Sequence, residues 1–337
     1  MVQQILGAIL AVAVALAAAV AYFWGTNWIL DKALATPPTM SGAKITQRDS
    51  RRSAIRPWLF VGPSLVFLVV YLVYPVFETL RLSFYDKFGI NFVGFSNYVW
   101  AFQDGVFWQS AFNNLGWLFI VPALSTSFGL IIATLADKLW WGNIAKSLIF
   151  MPMAISFVGA SVIWKFVYAY KGPGIEQIGL LNAIATGLGF DPQPWITIPF
   201  LNSFLLMIIL IWIQTGFAMI ILSAALRGVP EETLEAARID GANGFGIFFD
   251  IMIPQIWGTI IVVWTTITIT VLKVFDIVYA MTNGEFQTQV LANLMYRWMF
   301  ISGDYGRGST IAVIIMLVVV PIMVWNIRRA NAEEGTR

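Results

Sequence analysis

The chain has no cysteine and no histidine among its 337 residues. Without cysteine there is no disulfide framework, no thiol nucleophile and no thiolate metal site. Without histidine there is no Ser-His-Asp triad, no imidazole zinc centre and no histidine proton relay. Charge is also scarce: 11% of residues are Asp, Glu, Lys or Arg, where a soluble domain carries about a quarter. That is too little charge to cover a soluble surface of this size. The formal net charge is only +2, and no long basic run points to nucleic acid. What is abundant is apolar, at 59% hydrophobic residues. The composition implies an all-α, polytopic membrane protein with no catalytic residues, metal ligands or cofactor site of its own.

A membrane-spanning helix needs about 20 mostly apolar residues. Seven stretches meet that requirement, roughly 4–24, 58–80, 115–136, 148–169, 203–224, 257–280 and 309–326. Lys and Arg set the orientation. Segment 25–56, loops 137–147 and 225–256, and the tail after 326 hold thirteen of the twenty basic residues, among them Lys32, Arg51, Arg56, Lys138, Lys146, Arg227, Arg238 and Arg337. The alternate loops hold Arg81, Lys87, Lys171, Arg297 and Arg307. This imbalance puts the amino terminus outside and the carboxyl terminus in the cytoplasm.

The first stretch has two readings. Ala33-Leu34-Ala35 looks like a signal-peptidase site. Against cleavage, no basic residue precedes the apolar run, and the run is long for a signal peptide. Retention as a membrane helix is the expectation. The organisation that follows is an N-terminal helix with a basic linker over 1–56, a six-helix core over 57–330 and a short tail over 331–337. Loop 170–202 reads as an external cap.

The loop Leu226–Ile256 carries the clearest signal. Pro230 suits a first helical turn, where its missing N–H costs nothing. Glu231 and Glu232 follow at the positive end of the dipole. Gly241 falls where a helix stops in a left-handed conformation. A bland linker or a lipid-lying helix is one reading. Acidic residues Glu231, Glu232, Glu235 and Asp240 fit anionic lipid poorly, and small Ala236 and Ala237 permit close approach of another backbone. The helix therefore reads as a docking element for a protein groove.

Glu235-Ala236-Ala237, three residues, Gly241, nine residues and then Ile251-Met252-Ile253-Pro254 resemble the EAA motif. That motif marks the membrane permease subunits of binding-protein-dependent ABC importers. Ile253 stands where the usual form has Leu, a volume-conserving exchange. The stretch RPWLFVGPSLVFLVVYLVYPVFETLRLSF, FSNYVWAF at 95–102 and LKVFDIVYAMTNG at 272–284 are similar to sugar permeases of the maltose and α-glucoside kind.

The resemblance implies a six-helix importer permease core plus one extra N-terminal transmembrane helix in the bacterial cytoplasmic membrane. It implies a second permease subunit, two ATP-binding cassette subunits and an extracytoplasmic sugar-binding protein as partners. No G-x-x-x-x-G-K-[ST] loop is present, so ATP and magnesium would be bound by the partner ATPase. Glu235, Ala236, Ala237, Gly241 and Pro254 would couple this chain to that ATPase. An intrahelical Glu235–Arg238 pair is the competing reading of Glu235.

By the same resemblance the solute path is lined by Gln214 and Phe217 on the fifth crossing and by Thr266 and Thr270 on the sixth. Interhelical packing is the alternative for each. Val271 and Val274 stand where the maltose permease carries Asn, which departs from that pattern. Lys273 and Asp276 read as an ion pair or as snorkelling side chains, and Lys165 as another. Asn113 and Asn114 have no assignable role. Two rivals are a permease for another solute, such as a polyol or a glycerol-phosphate compound, and an ion-coupled secondary transporter. The second is disfavoured by the shortage of ionisable residues inside the spans. An intramembrane enzyme would need a convergent cluster of acids or nucleophiles, and none is evident.

Overall fold

The computed structural model describes residues 2–33, 42–137, 139–172 and 174–334. Leu34 and Ala35 of the candidate cleavage site, Lys138 and Arg337 lie outside them. The chain forms two compact units, Met1–Glu78 and Thr79–Arg337.

In the first unit, α1 (Val2–Ala33) packs on α2 (Gly42–Leu68). The Phe23 and Phe60 rings stack at 5.5 Å, and the Tyr22 hydroxyl donates to the Leu59 carbonyl. The Arg56 guanidinium donates to Asn27 Oδ1 at 2.7 Å and to Asp31 Oδ1 at 3.2 Å. The basic linker is thus helical from Gly42 onward. A π turn at Val69–Val73 leads into α3 (Tyr74–Leu82), so that Ser53–Leu82 forms one long apolar helix.

The second unit is built on α5 (Gly105–Ala136) and α9 (Leu201–Arg227). Short α4 (Ser96–Gln103) precedes α5. The Asp104 carboxylate caps α5 by accepting from the Phe107 N–H at 2.7 Å. α5 therefore starts ten residues before the apolar stretch expected at 115. Its 32 residues extend about 48 Å, well beyond the roughly 30 Å hydrocarbon layer.

Ser125, Gly129 and Ala133 form a small-residue row on α5, all fully buried or without a side chain to expose. Hydrophobic attraction between helices is absent in lipid, so close backbone approach through small residues is what holds such pairs. A methyl group added at Gly129 would lie 2.5 Å from Ala218 Cβ and 2.8 Å from the Met219 nitrogen.

The expected fourth crossing is not one helix. α6 (Gly142–Phe150) and a 3₁₀ turn at Met151–Ala154 meet α7 (Phe157–Val167) at 107°. Pro152 sits in the 3₁₀ turn, and Ser156 caps α7 by accepting from Gly159 N–H at 3.0 Å. With 11 residues, α7 reaches only about 17 Å. Loop 170–202 carries α8 (Leu180–Gly187), organised by buried Asn182, which donates to the Ala169 and Gln193 carbonyls.

After α9 come α10 (Glu231–Ile239), a single turn α11 (Gly244–Gly246), a π turn at Ile247–Met252 and α12 (Ile253–Gln255). The Gly244–Gln255 segment meets α13 (Trp257–Leu272) at 70°. The expected sixth crossing also breaks: α13 ends at Leu272 and α14 (Asp276–Met281) follows. α15 (Leu291–Tyr296) and α16 (Tyr305–Glu334) complete the chain. Counting each bent pair as one crossing gives up to seven among the described residues, the number expected from the sequence.

Candidate coupling loop and solute-lining surface

Pro230 precedes α10 in an extended conformation, and Glu231 and Glu232 occupy its first turn. At the far end Gly241 has φ +86°. The Gly241 N–H donates to the Arg238 carbonyl and the Ala242 N–H to the Ala237 carbonyl. These two bonds are the Schellman closure of a helix, and the left-handed residue between them favours glycine.

α10 presents two faces. Leu234 packs against the main core and Ala237 is buried. Glu232, Glu235, Ala236 and Ile239 are exposed, and Ile239 is 85% exposed. The Ala236–Ala237 pair is thus divided, with Ala237 serving packing within the chain and Ala236 on the open side. No Glu235–Arg238 pair occurs among the ion pairs of the described residues. Arg238 instead lines a cavity of about 840 Å³ beneath the helix. Pro254 is exposed in α12, just past the π turn.

Beside that cavity lies a polar cluster that the sequence reading missed. Asp137 caps the end of α5 and pairs with Lys146 of α6, which is 5% exposed. Ser223 of α9 donates to Asp137 Oδ2 at 3.0 Å and accepts from Lys146 Nζ at 2.6 Å. Arg227 approaches Asp137 Oδ1 at 3.4 Å. Burial alone would raise the Asp137 carboxyl above its ordinary value. Hydrogen bonds from Lys146 and Ser223, with the charges of Lys146 and Arg227, outweigh that and hold it below. The signal available in the sequence was an Asp immediately after a long apolar run, with a Lys nine residues on.

The four solute-lining candidates do not converge on one cavity. Gln214 is buried and makes no hydrogen bond among the described residues. Phe217 packs against the main core. The Thr266 hydroxyl donates to the Val262 carbonyl at 2.7 Å and Thr270 to the Thr266 carbonyl at 3.2 Å. Both threonines therefore spend their protons inside their own helix. Thr270 alone lines a cavity of about 330 Å³ between α9 and the α13–α14 break, beside Lys273 and Asp276. That lysine and aspartate are not an ion pair among the described residues, and Lys273 is exposed, as is Lys165. The hydroxyls of Ser125 and Thr126 on α5 and of Thr215, next to Gln214 on α9, are buried without hydrogen-bond partners among the described residues.

At the opposite end of α5, Asn113 and Asn114 acquire a role. Asn113 Nδ2 donates to the Gln287 and Gln289 carbonyls, each at 2.8 Å, and Asn114 Oδ1 accepts from the Leu291 N–H at 2.8 Å. Asn202 Nδ2 holds the Phe286 carbonyl at 2.7 Å. These asparagines clamp a loop in which Asn283, Gly284, Phe286 and Gln287 all have positive φ.

Bent apolar crossings with a two-faced helix between α9 and α13 make this a polytopic, all-helical membrane fold among the described residues. The chain belongs to the family of binding-protein-dependent transport system inner membrane components, whose profile matches residues 125–330. It is 64% identical over 335 residues to the alpha-glucoside transport system permease protein AglF of Rhizobium meliloti, covering 99% of each chain. It is 56% identical to the osmoprotective compounds uptake permease protein GgtC of Synechocystis sp., over 83% of this chain and all of that one. Its fold matches a chain of a bacterial ABC transporter that imports the acidic polysaccharide alginate, with a TM-score of 0.72 at 18% identity, covering 84% and 99% of the two chains. The chain is thus a multi-pass membrane permease subunit of an ABC importer, and not itself an ATP-hydrolysing enzyme.

Proposed function

We propose that this permease imports α-glucosides, or closely related oligosaccharides, across the bacterial inner membrane with energy received through α10. The observation that carries the coupling role is the open face of that helix. Glu232, Glu235, Ala236 and Ile239 lie together there, exposed and without an ion pair among the described residues. Carboxylates ringing an apolar side chain suit a groove with basic rims and an apolar floor. The Lys and Arg bias puts this helix, with the carboxyl terminus, in the cytoplasm, where ATP is available.

In this reading two ATPase subunits bind ATP and magnesium, and a second permease subunit supplies the other half of the path. An extracytoplasmic binding protein delivers the solute. Closure of the ATPase pulls α10, and the rigid Asp137–Lys146–Ser223 joint passes the movement to α5, α6 and α9 as alternating access. Of the solute-lining candidates Gln214, Phe217, Thr266 and Thr270, Thr270 is the one at a cavity and is this chain's first candidate for contact with the solute. The likeness to the Rhizobium permease over nearly the whole chain supports α-glucosides as the solute class. The likeness to the Synechocystis permease favours osmoprotective compounds as a second reading.

The test is Glu235→Ala combined with Ile239→Ala in the reconstituted complex. ATP-driven uptake is expected to collapse while membrane insertion and solute delivery persist. Full uptake by the double variant would remove α10 as the point of coupling.

A further inference from the structure

The cavity beneath α10 has a chemistry that the coupling role does not use. Its volume is about 840 Å³, and Ile131, Leu135, Phe245, Phe248 and Met252 form an apolar wall. Arg227 and Arg238 line it as well. Arg238 has no carboxylate partner among the described residues. Asp137 lines it too, but that one carboxylate is shared between Lys146 and Arg227, so Arg238 stays uncompensated and the cavity keeps a positive excess. The acidic residues of α10 are not part of its lining.

The position is equally specific. α5 ends at Ala136 and α9 at Arg227. Ile131 and Leu135 therefore belong to the last turns of a membrane-crossing helix, while the guanidinium groups lie at its edge. A soluble anion would leave the apolar wall bare. A zwitterionic lipid would bring no net charge to the arginines. We infer that this cavity binds an anionic phospholipid, with its headgroup on Arg227 and Arg238 and an acyl chain along the apolar wall. The lipid would wedge between α10 and the ends of α5 and α9, and so tune how tightly the loop follows the core. This does not depend on which solute is carried.

The test uses the purified complex in nanodiscs of equal phosphatidylcholine and phosphatidylglycerol, with retained lipid measured by native mass spectrometry after a detergent wash. The wild type is expected to retain phosphatidylglycerol selectively. Arg227→Gln with Arg238→Gln should weaken retention roughly 30-fold, and the corresponding double Lys variant should keep most of it. Ala242→Phe leaves both arginines and fills the space, so it should expel the lipid too. Equal retention of both lipids by the wild type would overturn the inference, as would undiminished retention in the double Gln variant. Displacement by inorganic phosphate as effective as by short-chain phosphatidylglycerol would remove the acyl contact. Retention by the permease subunits stripped of their ATPase, but not by the complete complex, would make the cavity part of the ATPase socket, against the inference.

Discussion

Substituting Asp137 with Asn tests the joint at the foot of the loop. The change keeps size and shape but removes the charge that neutralises Lys146. The lysine side chain is 7% exposed, and the aspartate side chain 32%. Breaking a buried ion pair from one side costs about 3–5 kcal/mol, because the remaining charge is stranded. Partial exposure of the carboxylate lowers this to about 2–3 kcal/mol, since water already screens part of the attraction. That range is a factor of roughly 30 to 150 in the equilibrium holding α6 against α5 and α9.

The assay is thermal unfolding of the purified permease, run as a double-mutant cycle with Lys146. Asp137→Asn should lower the midpoint clearly. Asp137→Leu with Lys146→Leu should recover most of the loss, because no buried charge is left stranded and Arg227, the other partner of Asp137, has a side chain 61% exposed and stays hydrated. An unchanged midpoint in Asp137→Asn would refute the reasoning. So would a double Leu variant whose loss is the sum of its two single variants.

Three further outcomes follow from the same structure. Gly129→Leu forces α5 and α9 apart, because its Cβ alone would meet Ala218 Cβ at 2.5 Å; a loss of at least about 1–3 kcal/mol is expected in the same unfolding assay, and no loss would contradict the close packing. Gly241→Ala places a Cβ at φ +86°, with an expected cost of about 1–2 kcal/mol; increased proteolysis at 240–244 would report it, and wild-type resistance would count against the left-handed closure. The third concerns pH. The Asp137 carboxyl is held below its ordinary value of 3.8, so its contribution is present at neutral pH and is lost only as pH falls through that lowered value. With no histidine in the chain, permease stability should be nearly flat between about pH 5.5 and 8. A titration centred near pH 6.5 would contradict it.

The helical crossings and helix α10 were legible because each rests on a local property. Apolar run length marks a span whatever its neighbours are, and Pro230 and Gly241 bracket α10 by backbone chemistry alone. The breaks at Pro152–Ser156 and Lys273–Phe275 were not legible. A hydropathy window averages across them, and the residues on either side are equally apolar. Asn113 and Asn114 were opaque for another reason: their partners lie at Gln287, Gln289 and Leu291, far along the chain. The Asp137 cluster likewise joins three elements through Ser223, one of several polar residues buried along α9 with nothing local to mark its partner. The solute-lining set is the least resolved by a single chain. Thr266 and Thr270 bond within α13, Phe217 packs in the core, and only Thr270 reaches a cavity. A path shared between two permeases need not close inside either one.

The most direct measurement is uptake of a radiolabelled α-glucoside into proteoliposomes holding this permease with its partner subunits and binding protein. Accumulation should require ATP on the side that exposes α10, and should vanish when the ATPase subunit is left out. Accumulation by this chain without an ATPase, driven by an ion gradient alone, would contradict the account.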